Sequence, residues 1–162
     1  MIGIEPVVSE VRETAGLASD ASITWITAIE RGLAVDADPD QLFRVLLNLV
    51  RNAAQALESN PKNDPASMQI RVTGRRQGAV AILEVSDTGP GVPQKAREHL
   101  FKAFQTSGRP GGSGLGLAIA AELVRAHGGE ISLVEGTIGA TFRIVIPDRP
   151  VALQSVRELA RA

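Results

Sequence analysis

Residues 38–58 have the sequence DPDQLFRVLLNLVRNAAQALE, and this stretch decides the fold. Asp38 is placed to cap a helix, Pro39 suits the first helical position, and Gln41 stands where a capping box needs an acceptor. Apolar residues then recur with helical spacing, which predicts one helix ending at about Glu58. Its apolar sides require cover from the rest of the chain.

One face of this predicted helix carries an unusual set of polar side chains. A solvated face is usually made of Lys and Glu, whereas this stripe holds four amides and two arginines. Asn48 and Asn52 lie one turn apart at mid-helix, where asparagine is a poor helix former. A side-chain carbonyl oxygen there can ligate a hard cation such as Mg²⁺, so the stripe is either a solvated surface or a metal site. At 100° per residue it is roughly 120° wide and comprises Gln41, Arg44, Asn48, Arg51, Asn52, Gln55 and Glu58.

The remaining periodicities predict an α+β domain. The opening residues, Ile4 to Ala15, repeat their apolar positions with helical spacing. A run of apolar residues at 79–86 is almost continuous, which favours a central strand. We expect further strands at residues 22–30, 33–35 and 68–74 and a helix at residues 115–126. Residues 130–146 are expected to form two strands joined around Gly136 to Gly139.

The predicted central strand runs directly into the sequence DTGPG at residues 87–91. A carboxylate at the end of such a strand lies at the floor of any pocket that opens there, and glycines let a flat ligand approach the backbone closely. Asp87 could accept a hydrogen bond from an adenine amino group, whereas guanine would oppose it with a carbonyl oxygen, at a cost of roughly 1–3 kcal/mol. Alternatively, Asp87 caps its own turn.

A glycine-rich segment, GGSGLGL at residues 111–117, opens the next predicted helix. Free backbone N–H groups and the positive end of the helix dipole favour phosphate there. The segment lacks the final glycine of G-x-G-x-x-G and the Lys-Ser/Thr pair of a P-loop, so it matches neither common nucleotide fingerprint.

Composition excludes several classes of function. The chain has 17 basic and 18 acidic residues, and this near-neutral charge gives no reason to expect nucleic acid or an anionic membrane surface as a partner. Cysteine is absent, which removes disulfides, thiolate catalysis and cysteine zinc sites. No apolar run approaches the roughly 20 residues of a membrane helix, so we expect a cytoplasmic domain without direct membrane contact.

Taken in order, these segments resemble the N, G1 and G2 boxes of the histidine kinase catalytic domain, in the superfamily of gyrase, heat-shock chaperone and mismatch-repair ATPases. The matching segments are residues 48–53, 87–91 and 112–117. Residues 100–104 resemble the F box, and His127-Gly128-Gly129 and 136–142 resemble two later glycine motifs. Arg51 combined with Gln55, where many such kinases have lysine, is most similar to the nitrogen-regulation branch.

The resemblance implies a Bergerat fold, a two-layer α/β sandwich in which a mixed, mostly antiparallel sheet of about five strands is covered on one face by about three helices. It implies Mg²⁺ on Asn52, ATP as substrate, and a flexible ATP lid from Thr106 to Gly112. It assigns catalytic positions to Asn48, Arg51 and Arg109, with Arg109 in place of a lid lysine. The implied nucleotide set is Asn48, Asn52, Gln55, Asp87, Gly89, Gly91, Phe101, Phe104, Thr106, Ser107, Gly112, Ser113, Gly114, Leu115, Gly116 and Leu117.

Such kinases phosphorylate a histidine on a separate dimerisation domain, in the same full-length chain or in trans, which then serves a response regulator. Neither His99 nor His127 has the sequence context of that acceptor, and His127 is expected instead as a cation at a helix C-terminus. We therefore expect residues 1–18 to form a connector helix toward a dimerisation domain, 19–148 the ATP-binding domain and 149–162 a tail.

Three alternatives stay open. An anti-sigma-factor serine kinase shares the fold, but its N box is expected to begin with an acidic residue where Asn48 stands. A non-catalytic interaction module would not need intact Asn52 and Asp87. An aspartic protease, suggested by Asp87-Thr88-Gly89, would need an all-β chain.

Overall fold

The structure, a computed structural model, describes residues 1–18, 22–59, 67–102, 115–136 and 138–149. The predicted lid lies outside these ranges. So do seven of the predicted site residues, namely Phe104, Thr106, Ser107, Arg109, Gly112, Ser113 and Gly114. The elements in chain order are β1 (Ile2–Gly3), α1 (Ile4–Thr14), β2 (Thr24–Ile29), β3 (Ala34–Val35), α2 (Pro39–Glu58), β4 (Gln69–Gln77), β5 (Val80–Asp87), α3 (Gln94–Arg97), α4 (Gly116–Ala126), β6 (Glu130–Val134) and β7 (Thr141–Pro147).

Helix α2 begins and ends where the sequence predicts. The Asp38 carboxylate accepts a hydrogen bond of 2.9 Å from the Gln41 backbone N–H, which satisfies one of the free donors of the first turn. Pro39 occupies the first helical position. The buried side of the helix is entirely apolar and comprises Leu42, Val45, Leu46, Leu47, Leu49, Val50, Ala53, Ala56 and Leu57.

The main sheet has five strands in the order β2-β4-β5-β7-β6. Only β2 and β4 are parallel, and the other neighbours are antiparallel. Strand β5 lies at the centre, as its apolar run predicts. Strand β3 pairs with β1 in a separate two-stranded sheet, so the turn between β2 and β3 does not close a hairpin.

Helices cover one face of the main sheet. Helix α2 packs on β4 and β5, α4 packs on α2 and β6, and α1 packs on α2. The result is the two-layer α+β sandwich with a mixed, mostly antiparallel sheet that the sequence predicts. None of the helices in the described ranges has the length and apolar character needed to cross a bilayer.

Helix α1 belongs to this core. Ile4, Val7, Val8 and Val11 are buried and join the same apolar cluster as α2 and the sheet. Arg12, on its exposed side, lies over the ring of Trp25, 6.0 Å from the ring centroid. A connection from this helix to a further domain stays a prediction.

His127 joins the end of α4 to the start of α2. Its Nε2 accepts a hydrogen bond of 3.1 Å from the Asp38 backbone N–H, and its Nδ1 lies 2.7 Å from the Leu123 carbonyl oxygen. An Nε2 that accepts a hydrogen bond carries no hydrogen, so Nδ1 is the donor and the ring is neutral. The expectation of a cation at this position was therefore wrong, because the ring is used as an acceptor.

Candidate functional site

Asp87 is the last residue of the central strand β5. Side chains alternate along a strand, so Asp87 faces the same side as Val85 and Leu83, which is the side covered by helices. It is 3% exposed, and among the residues that the structure describes no other charged residue is buried. The carboxylate therefore lies between the sheet and the helix layer.

Hydrogen bonds of its backbone and of its side chain help to set the position of Asp87. Its backbone N–H donates to the Ala140 carbonyl oxygen at 2.9 Å, and its Oδ1 accepts from the Gly89 backbone N–H at 2.9 Å. The second bond is the turn cap that the sequence left open as an alternative. A carboxylate has about four acceptor positions, so this cap is compatible with a further hydrogen bond to a ligand.

Glycines bring the loop after β5 into backbone contact with the turn before β7. A Cβ added to Gly91 would lie 3.1 Å from the Gly139 carbonyl oxygen, and one added to Gly139 would collide with the Asp87 carbonyl oxygen. Both glycines have positive φ, 78° and 71°, which other residues rarely adopt. Gly91 thus lies where two backbone segments of the protein meet closely. Its role beside a ligand stays a prediction.

Helix α2 passes both the loop after β5 and the start of α4. A Cβ added to Gly89 would lie 3.5 Å from the Ala56 Cβ, and one added to Gly116 would lie 3.8 Å from the Asn48 Oδ1. Asn48, Asn52 and Ala56 are on successive turns of one face, so Asn52 lies between the two contacts. Eight residues of helix separate the contacts by ~12 Å.

The polar stripe of α2 divides into two parts. Asn48 and Asn52 are half-buried, whereas Arg51 and Gln55 are exposed. The Asn48 amide oxygen faces the start of α4, and Asn52 lies one turn further toward the Asp87 loop, whereas the two longer side chains are exposed. Amide and carboxylate oxygens can serve a hard cation and a hydrogen-bonding base, respectively.

Phe101 is held against the core at the edge of the undescribed segment. Its ring meets that of Phe142 edge to face, with the centroids 6.1 Å apart and the planes at 79°. Phe142 is 2% exposed and lies in β7. Leu115, Gly116 and Leu117, at the start of α4, are half-buried.

Sequence reasoning gave no individual role to three residues that support this arrangement. Gly139 and Thr88 hold the Asp87 loop, and Ala56 is the small residue of α2 against which Gly89 packs. An alanine one turn after Asn52, where the polar stripe meets the buried side of the helix, was the available indication that another segment approaches there closely.

Comparisons with known proteins show the family of the chain. Residues 37–150 match the family described as "Histidine kinase-, DNA gyrase B-, and HSP90-like ATPase". The sensory histidine kinase/phosphatase NtrB of Rhizobium leguminosarum bv. phaseoli is 37% identical over 156 residues, which cover 90% of this chain and 40% of that protein.

Two solved structures are also similar. Full-length ShkA in complex with AMPPNP has a TM-score of 0.74 and 30% identity, covering 90% of this chain and 30% of that one. Histidine kinase ThkA in complex with response regulator protein TrrA has a TM-score of 0.74 and 25% identity, covering 93% of this chain and 42% of that one. The chain thus spans less than half the length of these relatives.

Proposed function

The chain belongs to the family of histidine kinase-, DNA gyrase B- and HSP90-like ATPases, and from this premise we propose that it is the Mg²⁺-ATP-binding catalytic domain of a histidine protein kinase of the nitrogen-regulation type. It donates the γ-phosphate of ATP to a histidine on a separate dimerisation domain. One observation carries the proposal: α2 places Asn52 between Gly89, beside the buried Asp87, and Gly116, at the start of the helix that follows the glycine-rich segment.

The residues fit the base of ATP. Asp87 is a buried carboxylate, which accepts a hydrogen bond from the adenine amino group and opposes the carbonyl oxygen of guanine. Gly89 borders the base, since a side chain there would fill the space beside the carboxylate. Gly91 borders the base as well, and its lack of a side chain lets the loop lie against Gly139. The separation of ~12 Å along α2 matches the reach of an extended nucleotide from base to phosphates.

The residues also fit the phosphates and a metal. The Asn52 amide oxygen is a hard ligand of the kind Mg²⁺ takes together with phosphate oxygens and water. Bound there, Mg²⁺ supplies neutralisation of phosphate charge. The glycines 112, 114 and 116 cover the phosphates with backbone N–H groups, and Arg51 and Arg109 stabilise the γ-phosphate charge. Phe101 and Phe104 anchor the lid.

Asn48 suits phosphate transfer to a protein rather than hydrolysis. An amide does not abstract a proton from water, so the side chain beside Asn52 positions groups without providing a hydrolytic base. The nucleophile then comes from the acceptor domain, whereas the ATP-binding domain contributes orientation and charge neutralisation.

The partner that follows is a dimerisation domain with a phosphoacceptor histidine, in the same full-length chain or in trans. A response regulator receives the phosphate afterwards, in keeping with the complex reported for ThkA. We place this chemistry in the cytoplasm, where ATP is available.

Phosphotransfer to an isolated acceptor domain tests the proposal. The chain is incubated with γ-labelled ATP, Mg²⁺ and the dimerisation domain of an NtrB-type kinase, with a His→Gln acceptor as the control. We expect label on the acceptor only when its histidine is present, and we expect this label to be lost in acid. An acid-stable label would indicate a serine kinase, and failure to bind ATP at all would favour an interaction module.

A further inference from the structure

We propose that Thr88 is a positioning residue that sets the preference of this site for adenine over guanine, by fixing the direction of the Asp87 carboxylate. This inference rests on the proposed function, because it concerns how the same pocket selects its nucleotide. Thr88 does not touch the base in this proposal and acts through Asp87.

The Thr88 hydroxyl ties the loop after β5 to the chain that enters β4. It donates a hydrogen bond of 2.6 Å to the Ser67 carbonyl oxygen and accepts one of 3.0 Å from the Gln69 backbone N–H. The Thr88 backbone N–H donates to the Gln69 carbonyl oxygen at 3.2 Å. One short side chain therefore uses both its donor and its acceptor on backbone groups of the neighbouring segment.

This link begins where the regular ladder stops. The pair formed by Ile70 and Asp87 is the last in register between β4 and β5. Beyond it the loop turns away from the sheet, and the hydroxyl of Thr88 replaces the backbone pairing that the strand no longer provides. Without the hydroxyl, Thr88 retains the 3.2 Å backbone bond to Gln69 but loses two shorter ones.

The direction of the carboxylate depends on this loop. Asp87 Oδ1 accepts from the Gly89 backbone N–H, so a shift of residues 88–89 turns the carboxyl group with it. Rejection of guanine requires a carboxylate that cannot turn away from the opposing carbonyl oxygen. Affinity for adenine tolerates small rotations better, because the amino group can follow the acceptor. A loosened loop therefore lowers selectivity in addition to affinity.

The test compares three Thr88 variants with a matched control. Thr88→Val and Thr88→Ala remove the hydroxyl, the first at constant shape and the second at smaller volume, and Thr88→Ser keeps the hydroxyl. Thr73→Val makes the same replacement on the uncovered face of β4, away from the loop. The dissociation constants of Mg²⁺-ATP and Mg²⁺-GTP and the melting temperature are measured for each protein.

We expect the ratio of the GTP to the ATP dissociation constant to fall by about 10-fold in both hydroxyl-free variants, the equivalent of about 1.4 kcal/mol. Thr88→Ser and Thr73→Val should keep the ratio of the parent. A purely structural role would lower the melting temperature without moving the ratio of the folded protein. An unchanged ratio in Thr88→Val and Thr88→Ala overturns the inference while leaving ATP binding intact, whereas a parent that binds no ATP overturns the proposed function and this inference with it.

Discussion

The backbone of Gly139 lies directly on the carbonyl group of Asp87. A Cβ built at Gly139 would be 2.8 Å from the Asp87 carbonyl carbon and 3.0 Å from the Gly89 nitrogen, closer than real Cβ contacts come. The turn before β7 thus forms one wall of the loop that carries the buried carboxylate, and only glycine leaves room for this contact.

Replacing Gly139 by Ala should therefore disrupt both the fold and the site. The new methyl group must push the Asp87 loop away, in addition to the roughly 1–2 kcal/mol that an Ala with positive φ costs. We expect the free energy of unfolding to fall by at least about 3 kcal/mol, with loss of ATP binding in the protein that stays folded. Denaturant unfolding and nucleotide titration measure the two effects.

Gly136 provides the matched control. It lies in the same turn with a φ of 77°, but a Cβ there would meet nothing within 4 Å. Gly136→Ala should cost only the conformational term of roughly 1–2 kcal/mol and leave ATP affinity unchanged. Equal costs for the two variants would mean that the contact between Gly139 and Asp87 does not restrict the loop.

The neutral ring of His127 leads to a second prediction. His127→Leu removes the acceptor for the Asp38 N–H and the donor to the Leu123 carbonyl oxygen, and should lower the free energy of unfolding by about 1–2 kcal/mol. His127→Gln, whose side-chain oxygen can accept from Asp38, should lose less. Chemical denaturation compares the variants, and nitrogen NMR of the parent should show the hydrogen on Nδ1. A hydrogen on Nε2 at neutral pH would contradict the assignment.

A third prediction concerns acid stability. The Arg149 backbone N–H donates to Asp36 Oδ2 at 2.8 Å and, with the Arg149 guanidinium 3.2 Å from Oδ1, holds the pKa of Asp36 below its ordinary value of 3.8. Because the folded state lowers this pKa, the stabilisation is present above pH 3.8 and is lost as the pH falls through the folded pKa. Asp36→Asn should therefore be less stable than the parent at neutral pH and converge with it in strong acid, as measured by urea unfolding across pH.

Arg149→Ala separates two of the causes that lower this pKa, the backbone N–H and the guanidinium of Arg149. The backbone N–H, which is the larger cause, remains in that variant, whereas the guanidinium is removed. Asp36→Asn should therefore destabilise the Arg149→Ala protein by most of the amount by which it destabilises the parent. If Asp36→Asn had no effect in the Arg149→Ala protein, the stabilisation would come from the ion pair with the guanidinium instead.

Local patterns were sufficient to predict much of the fold. The cap at Asp38, the spacing along α2 and the apolar run of β5 each specify one element, and each was confirmed with boundaries close to those expected. Asp87 was identified because it follows β5 directly, and its burial agrees with that expectation.

Contacts between distant segments could not be predicted in the same way. Gly139 and Asp87 are 52 residues apart (139 − 87), and nothing in either local sequence says that their backbones meet. The same holds for His127, whose partner Asp38 lies 89 residues away and turns an expected cation into a neutral acceptor. The apolar side of α1 was recognised, but the sequence alone did not show that α2 covers it.

Nucleotide binding with and without Mg²⁺ tests the central claim that Asn52 and Asp87 serve one ligand. Asn52→Ala removes the proposed metal ligand. Asp87→Asn keeps an acceptor for the Gly89 N–H but presents an amide to the base. Arg44→Ala is the control, since Arg44 is exposed on the same stripe of α2, one turn before Asn48.

We predict that Asn52→Ala weakens ATP binding about 10-fold or more in Mg²⁺ and leaves metal-free binding unchanged, the loss expected for one charge-assisted contact. Asp87→Asn should weaken ATP binding by a similar factor with and without Mg²⁺. Arg44→Ala should leave ATP binding unchanged in both conditions. Unchanged ATP affinity in both Asn52→Ala and Asp87→Asn, with the parent binding ATP normally, would contradict the account.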